Sequence, residues 1–260
     1  MSFTAAAIQF APVLGDIESN QKFIETKLAG LGNADLVVLP ELASTGYNFT
    51  DPEMAASLAE FPERSGYVEM LLALARKNNQ YIVSGFNEKA ADGIYNSALL
   101  VGPLGLAGIY RKMHLFMREK HYFKPGNSGL KVYDTGFCRL GMQICFDYLF
   151  PEPWRILTQE GAELIVHPSN LLTQNAIKVL PGIALMNRVY ILTANRIGTE
   201  GELVFNGNSR VLDPNGDVLA ALSADRPEVL SAVIDPVMAH NKMITELNHV
   251  FEDRRPEQYQ

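Results

Sequence analysis

The sequence predicts an α/β fold built on a mixed sheet, and three observations lead there. Short runs rich in Val, Ile and aromatic residues alternate with stretches of helical periodicity along the chain. Three of those runs, around residues 81 to 111, are joined by short links and so form a meander. No linker, low-complexity tract or repeat breaks the pattern, so residues 1–260 read as one domain.

Thr4–Gln9 opens the chain as a strand, and a helix follows over Asn20–Ala29. Leu36–Leu39 is apolar throughout, as a strand buried on both faces must be. In the helix expected over Tyr67–Lys77, Val68, Leu71, Leu72 and Ala75 recur at i, i+3, i+4 and i+7 and make one buried face. Tyr81–Phe86, Asn96–Val101 and Gly108–Arg111 form the meander, with Asp92-Gly93 as a hairpin turn. Cys138–Ile144 and Leu164–His167 are strands separated by a helix over Pro153–Glu160. A helix over Ile177–Arg188 leads into the strand Val189–Ala194. The strands Ser209–Leu212, Val218–Ala221 and Leu230–Ile234 complete the set, the first two joined by the turn Asp213-Pro214-Asn215-Gly216. Residues 244–260 are polar with a few apolar anchors; they read as a frayed tail or an arm lying on another surface.

Composition excludes several functions. The net charge of -7 and the lack of any Lys/Arg-rich run argue against nucleic acid as a partner. No apolar run reaches membrane-spanning length, and the N-terminus has no basic region of the kind that opens a signal peptide. With only two cysteines, Cys138 and Cys145, a disulfide framework is not expected and a reducing, cytoplasmic compartment fits. The histidines are scattered, with no His-Glu-x-x-His or Cys-x-x-Cys, so neither a metal nor any other cofactor is expected.

Three segments carry candidate chemistry. Leu39-Pro40-Glu41 brings a carboxylate to the end of an apolar strand, at the sheet edge where α/β folds bind ligands. A glutamate in a partly dry pocket can shuttle protons near neutral pH. Tyr110-Arg111-Lys112 ends another strand in two cations, and a lysine aimed into a pocket can stabilise an oxyanion. Ile144-Cys145-Phe146-Asp147 brings a lone thiol to a strand-to-helix break, where a helix N-terminus favours the thiolate. The backbone N–H of Phe146, just after it, suits a second oxyanion donor. Each has an ordinary alternative: an exposed loop glutamate, a strand-edge lysine, a buried cysteine. Cys138 reads as structural, in the middle of its strand.

With these segments in this order, the chain resembles the nitrilase superfamily of carbon–nitrogen hydrolases over nearly its whole length. Leu39-Pro40-Glu41-Leu42 with Thr45-Gly46-Tyr47, Tyr110-Arg111-Lys112-Met113-His114-Leu115, and Ile144-Cys145-Phe146-Asp147 with Phe150-Pro151-Glu152 carry the likeness. Arg118-Glu119-Lys120 and Phe123-Lys124-Pro125-Gly126 match the family's second glutamate segment, and Asp253-Arg254-Arg255-Pro256 has a familial look. The resemblance implies a four-layer α-β-β-α sandwich that dimerises into an eight-layer one, with residues 244–260 as the dimer arm. It implies a Glu41–Lys112–Cys145 triad assisted by Glu119, and a small amide or nitrile as substrate.

Members acting mainly on nitriles often have Trp-Glu after the cysteine, where this chain has Phe146-Asp147, so small amides are favoured. Some microbial nitrilases for small aliphatic substrates also carry Cys-Phe-Asp. Members that cleave monoamides of dicarboxylic acids often have arginine where Leu149 stands here. Tyr47, Met113, Phe116, Phe146, Asn170 and Leu171 are candidate pocket walls. The competing readings are a Cys–His hydrolase using His114 or His167, a catalytically idle binding member, and an acyl transferase.

Overall fold

Two six-stranded sheets lie face to face with a pair of helices on each outer side, in a computed structural model that describes residues 1–259. The first sheet contains β1 (Phe3–Gln9), β2 (Leu36–Val38), β3 (Tyr81–Ala90), β4 (Gly93–Gly102) and β5 (Gly105–Arg111), ordered β1-β2-β3-β4-β5, with β14 (Glu228–Ile234) beyond β1. The second contains β6 (Tyr133–Asp134), β7 (Arg139–Met142), β8 (Leu164–Ser169), β9 (Tyr190–Asn195), β12 (Arg210–Leu212) and β13 (Val218–Ala221), in the order β13-β12-β9-β8-β7-β6. β10 (Ile197–Glu200) and β11 (Leu203–Asn206) form a separate hairpin.

Strand alternation explains the layering. On β2, Val37 faces outward and packs under α1 (Ile17–Ala29) and α3 (Gly66–Asn78), joined by Ile24, Leu28, Val68 and Leu71. Leu36 and Val38 face inward and meet Leu140, Val166 and Leu192 of the second sheet. The same apolar cluster continues through that sheet to Trp154 and Leu157 of α5 (Pro151–Gln159) and Leu180 and Ile183 of α6 (Asn175–Asn187). Burying a side chain of this size contributes about 1.5–3 kcal/mol. The expected four-layer α-β-β-α sandwich is thus present.

β1, β2 and β3 pair in parallel, as do β7, β8 and β9. The meander returns β5 to the direction of β3. The C-terminal ends of β2 and β5 therefore share one edge of the first sheet.

The structure differs from the sequence reading at several points. Cys138 lies just ahead of β7 rather than within a strand, because the strand begins at Arg139. The meander hairpin turns at Ala91-Asp92, since Ala90 pairs with Gly93. β6, β10, β11 and the short helices α2 (Pro52–Ser57), α4 (Glu119–Tyr122) and α7 (Val237–His240) were not expected. These are too short to show a period. Within residues 244–259, Phe251 meets the Arg155 guanidinium of α5 and the Lys242 ammonium of the same chain.

Candidate active site

Glu41 follows β2 and is fully buried. Its Oε1 accepts from Lys112 Nζ at 2.6 Å and from Asn96 Nδ2 at 2.7 Å. The strand approach here is close: a Cβ on Gly85 would lie 2.4 Å from Glu41 Cα and 2.3 Å from Leu42 N, so only glycine fits. Leu42, next in the chain, turns with φ +49°.

Lys112 follows β5. Its backbone N–H donates to Asn96 O at 2.8 Å and its carbonyl accepts from Gly126 N at 2.8 Å. Its ammonium also donates to Glu119 Oε1 at 2.8 Å. Burial opposes that charge, but the Glu119 and Glu41 carboxylates outweigh it and hold the ammonium above the ordinary lysine range.

Glu119 is the hub of the far side. Besides Lys112 it accepts from the Tyr47 hydroxyl at 2.7 Å and the Phe116 N–H at 3.1 Å. Burial and the nearby Glu41 carboxylate push its carboxyl up to about 6 against the pull of Lys112 and Tyr47. Tyr47 is held in turn by Glu200, whose Oε2 accepts from the Tyr47 and Asn48 N–H groups at 3.0 and 2.7 Å. Glu200 is paired with buried Arg196 at 2.5 Å.

Cys145 opens a single short turn, Cys145–Leu149, at the end of the β7 segment, with φ +43°. A non-glycine residue in this region stores about 1–3 kcal/mol of strain that its surroundings must hold. Two groups supply the hold. Asp147 Oδ2 accepts from the Ile144 N–H at 2.9 Å and the Tyr110 hydroxyl at 2.8 Å, while Oδ1 accepts from His114 N at 3.1 Å and faces His114 Nδ1 at 2.7 Å. His167 Nε2 lies 2.8 Å from the Cys145 carbonyl. A carbonyl only accepts, so the ring proton is on Nε2 and Nδ1 accepts from Thr193 Oγ1 at 3.2 Å.

The expected thiolate-favouring turn is outweighed. Burial and then the Glu41 carboxylate push the Cys145 thiol well above its ordinary range, against Lys112 and the Asn170 backbone N–H. Both causes favour the protonated thiol. Lys112 bonds both Glu41 and Glu119, and all three charged groups act on the Cys145 thiol. Neither histidine of the Cys–His reading is free to serve as base: His167 holds a backbone carbonyl and His114 holds Asp147.

A cavity of about 160 Å³ opens at Cys145, walled by Phe116, Phe146, Tyr148, Leu149, Asn170 and Leu171, with Leu172, Thr173 and Asn175 beyond. Among the described residues, no charged side chain lines it. Tyr47 lies instead on an adjoining small cavity of about 20 Å³ that shares Phe116 and Leu172. Met113 is on neither wall; it is partly buried and packs against the main apolar cluster instead. Asn96, His167's hold on the backbone and the Arg196–Glu200 pair escaped sequence reasoning, since each acts through a partner distant in the chain. Asp147 had a local signal: an acidic residue three after Ile144 caps the turn it enters.

A buried carboxylate–ammonium–carboxylate cluster beside a strained thiol, on two stacked sheets, is an arrangement suited to a hydrolase that works through a cysteine. The profile of the family described as carbon-nitrogen hydrolase matches residues 4–241, and the chain belongs to that family. A nitrilase from Pyrococcus abyssi is 43% identical over 256 residues, covering 98% of each chain. A carbon-nitrogen hydrolase from Helicobacter pylori G27 has a similar structure, with TM-score 0.87 and 28% identity over 100% of this chain and 97% of that one. A mutant amidase from Nesterenkonia sp. AN1, with the acetamide moiety of fluoroacetamide added covalently at its active-site cysteine, superimposes with TM-score 0.83. It is 26% identical, over 98% of this chain and 94% of that one. Among the described residues, no helix is long and apolar enough to cross a membrane.

Proposed function

We propose that this hydrolase is an amidase that converts small uncharged amides to a carboxylic acid and ammonia through a thioester on Cys145. The observation that carries the reading is the Glu41–Lys112–Glu119 cluster set against the strained, protonated thiol.

Glu41 is the base. Its Oε1 is occupied by Lys112 and Asn96, while Oε2 is buried with no hydrogen-bond partner in the protein. That oxygen takes the Cys145 proton as sulfur attacks the amide carbon. Lys112 has three N–H bonds, two of them committed to Glu41 and Glu119, so one remains for the oxygen on which charge develops. The Phe146 N–H, in the first turn after the nucleophile, is the second donor. Each such donor lowers the barrier by about 3–4 kcal/mol. Glu41 then returns its proton to nitrogen, the C–N bond breaks, and ammonia leaves. Water attacks the thioester with Glu41 again as base, releasing the acid and the thiol. Glu119 keeps Lys112 charged and aimed, and touches no substrate.

The uncharged cavity wall, with Leu149 at its rim, suits a neutral substrate. A nitrile is the second reading, favoured by the Pyrococcus relative. We place the enzyme in the cytoplasm, as its two free thiols suit a reducing compartment. We also infer a homodimer, with residues 244–260 as its arm, because Ile156, Leu185, Met186, Ile244 and Leu247 leave apolar surface exposed.

Ammonia release from a panel of aliphatic amides and nitriles tests the activity, with Cys145→Ala as control. Turnover of amides that vanishes in Cys145→Ala supports the reading. No ammonia from any member would make this a binding protein instead.

A further inference from the structure

A residue on the wall of the cavity at Cys145 carries a buried polar atom that the steps above do not use. Asn170 follows β8 on the cavity wall and is 2% exposed. Its Nδ2 donates to the Glu41 backbone carbonyl at 3.1 Å. That bond fixes the orientation of the amide, because a carbonyl can only accept and would repel Oδ1. Oδ1 occupies the other branch, and no protein group donates to it. The backbone N–H of the same residue bears on the Cys145 sulfur, so Asn170 stands beside the nucleophile.

Of the other buried oxygens without a partner among the described residues, Glu41 Oε2 is the base already described, and those on Ser44, Gln80, Asn87, Asn96 and Gln143 belong to residues that do not line this cavity. A buried acceptor left unmatched costs about 1–3 kcal/mol, and it favours whatever ligand brings a donor to it.

We infer that Asn170 is a specificity-determining residue whose Oδ1 accepts an N–H from the nitrogen of a primary carboxamide. The inference rests on the Cys145 chemistry proposed above and adds the discrimination. A nitrile or an ester of the same acyl group is attacked by the same thiol and meets the same Lys112 donor, but neither brings an N–H. With either, Oδ1 stays unpaired. Sites built around a hydrogen-bonding group reject analogues that lack it far more strongly than apolar pockets reject a change of size.

The test compares kcat/KM for propionamide, propionitrile and methyl propionate in the wild type and in Asn170→Leu. The variant is expected to lose about tenfold on the amide relative to the nitrile and the ester. A purely structural role would lower all three together, and that result overturns the inference. The Cys145→Ala protein provides a measurement that does not depend on Asn170→Leu folding. Calorimetry should show propionamide binding about tenfold more tightly than methyl propionate; equal affinities would overturn the inference as well. A wild type that releases no ammonia from propionamide or any other amide refutes the proposed activity. A wild type that hydrolyses propionamide, with equal losses on the three substrates in the variant, refutes only the role of Asn170.

Discussion

His167 offers a perturbation whose size can be worked from its surroundings. The ring is fully buried, its Nε2 proton bonded to the Cys145 carbonyl and its edge against Trp154. Burial lowers its pKa from 6.5 to about 4. The folded protein therefore keeps His167 neutral at pH values where the unfolded chain protonates it. Stability from this residue is complete above pH 6.5 and declines as the pH falls towards 4. A shift of two to three units, at about 1.4 kcal/mol each, makes that loss about 3 kcal/mol, of which about 2 kcal/mol has gone by pH 5. His167→Phe fills the same space without titrating. It leaves the Cys145 carbonyl unpaired, which costs about 1–3 kcal/mol at pH 8 and slackens the strained turn. Urea unfolding of both proteins from pH 8 to pH 5 should show the wild type ahead at pH 8 and the gap closing as the pH falls. The variant's kcat should be depressed throughout. Parallel stability curves would refute the assignment of a buried neutral imidazole.

Gly85→Ala should cost about 1–3 kcal/mol in stability and most of the activity, measured by melting and ammonia release, because the new methyl has Leu42 N and Glu41 Cα in its way. Glu119→Gln should be less active and less resistant to urea at pH 8, because the buried Lys112 ammonium loses a carboxylate and the new amide N–H faces the Phe116 N–H or the Tyr47 hydroxyl, and its deficit should widen as the pH falls through 6. The Glu119 carboxyl, raised from 4.5 to about 6, contributes stability only below those values and loses it as the pH rises through 6. A wild-type decline in kcat/KM as the pH falls through about 6 should accordingly shift in this variant. Iodoacetamide should add one carbamidomethyl group by intact mass, on Cys145: both thiols are buried and pushed up by that burial, but Cys145 alone opens on the cavity and has the Glu41 carboxylate at hand, whereas Cys138 lies outside the cavity.

The strands with a strong pattern were legible in the sequence. Leu36–Val38 is apolar at every position because both faces are covered, by helices on one side and the second sheet on the other. The three chemical segments were legible as strand ends. What could not be read was anything resting on partners far away in the chain. Asn96 lies mid-strand and looks like a weak strand former, yet it donates to Glu41. Arg196 and Glu200 look like surface residues and are buried because they satisfy each other and the Tyr47 loop. Cys145 as a helix-favoured thiolate was a sound local argument, and it failed because burial and a neighbouring carboxylate weigh more than the short turn.

The placement of the reacting groups explains why a buried carboxylate that touches no substrate is present at all. Glu41 and Lys112 belong to the first sheet, and Cys145 and Asn170 to the second. Apolar packing between the sheets is non-directional and would tolerate small slides of one on the other. Chemistry between groups on opposite sheets does not, since displacements near 1 Å can cost a hundredfold in rate. Asp147 joins the two directly. It follows the second sheet's nucleophile and binds Tyr110 of β5 and His114 just beyond Lys112. The same carboxylate caps the turn that holds Cys145. One side chain thus couples the register between the sheets to the strained turn that His167 holds from its other side, which is why its desolvation is tolerated beside a site already crowded with negative charge.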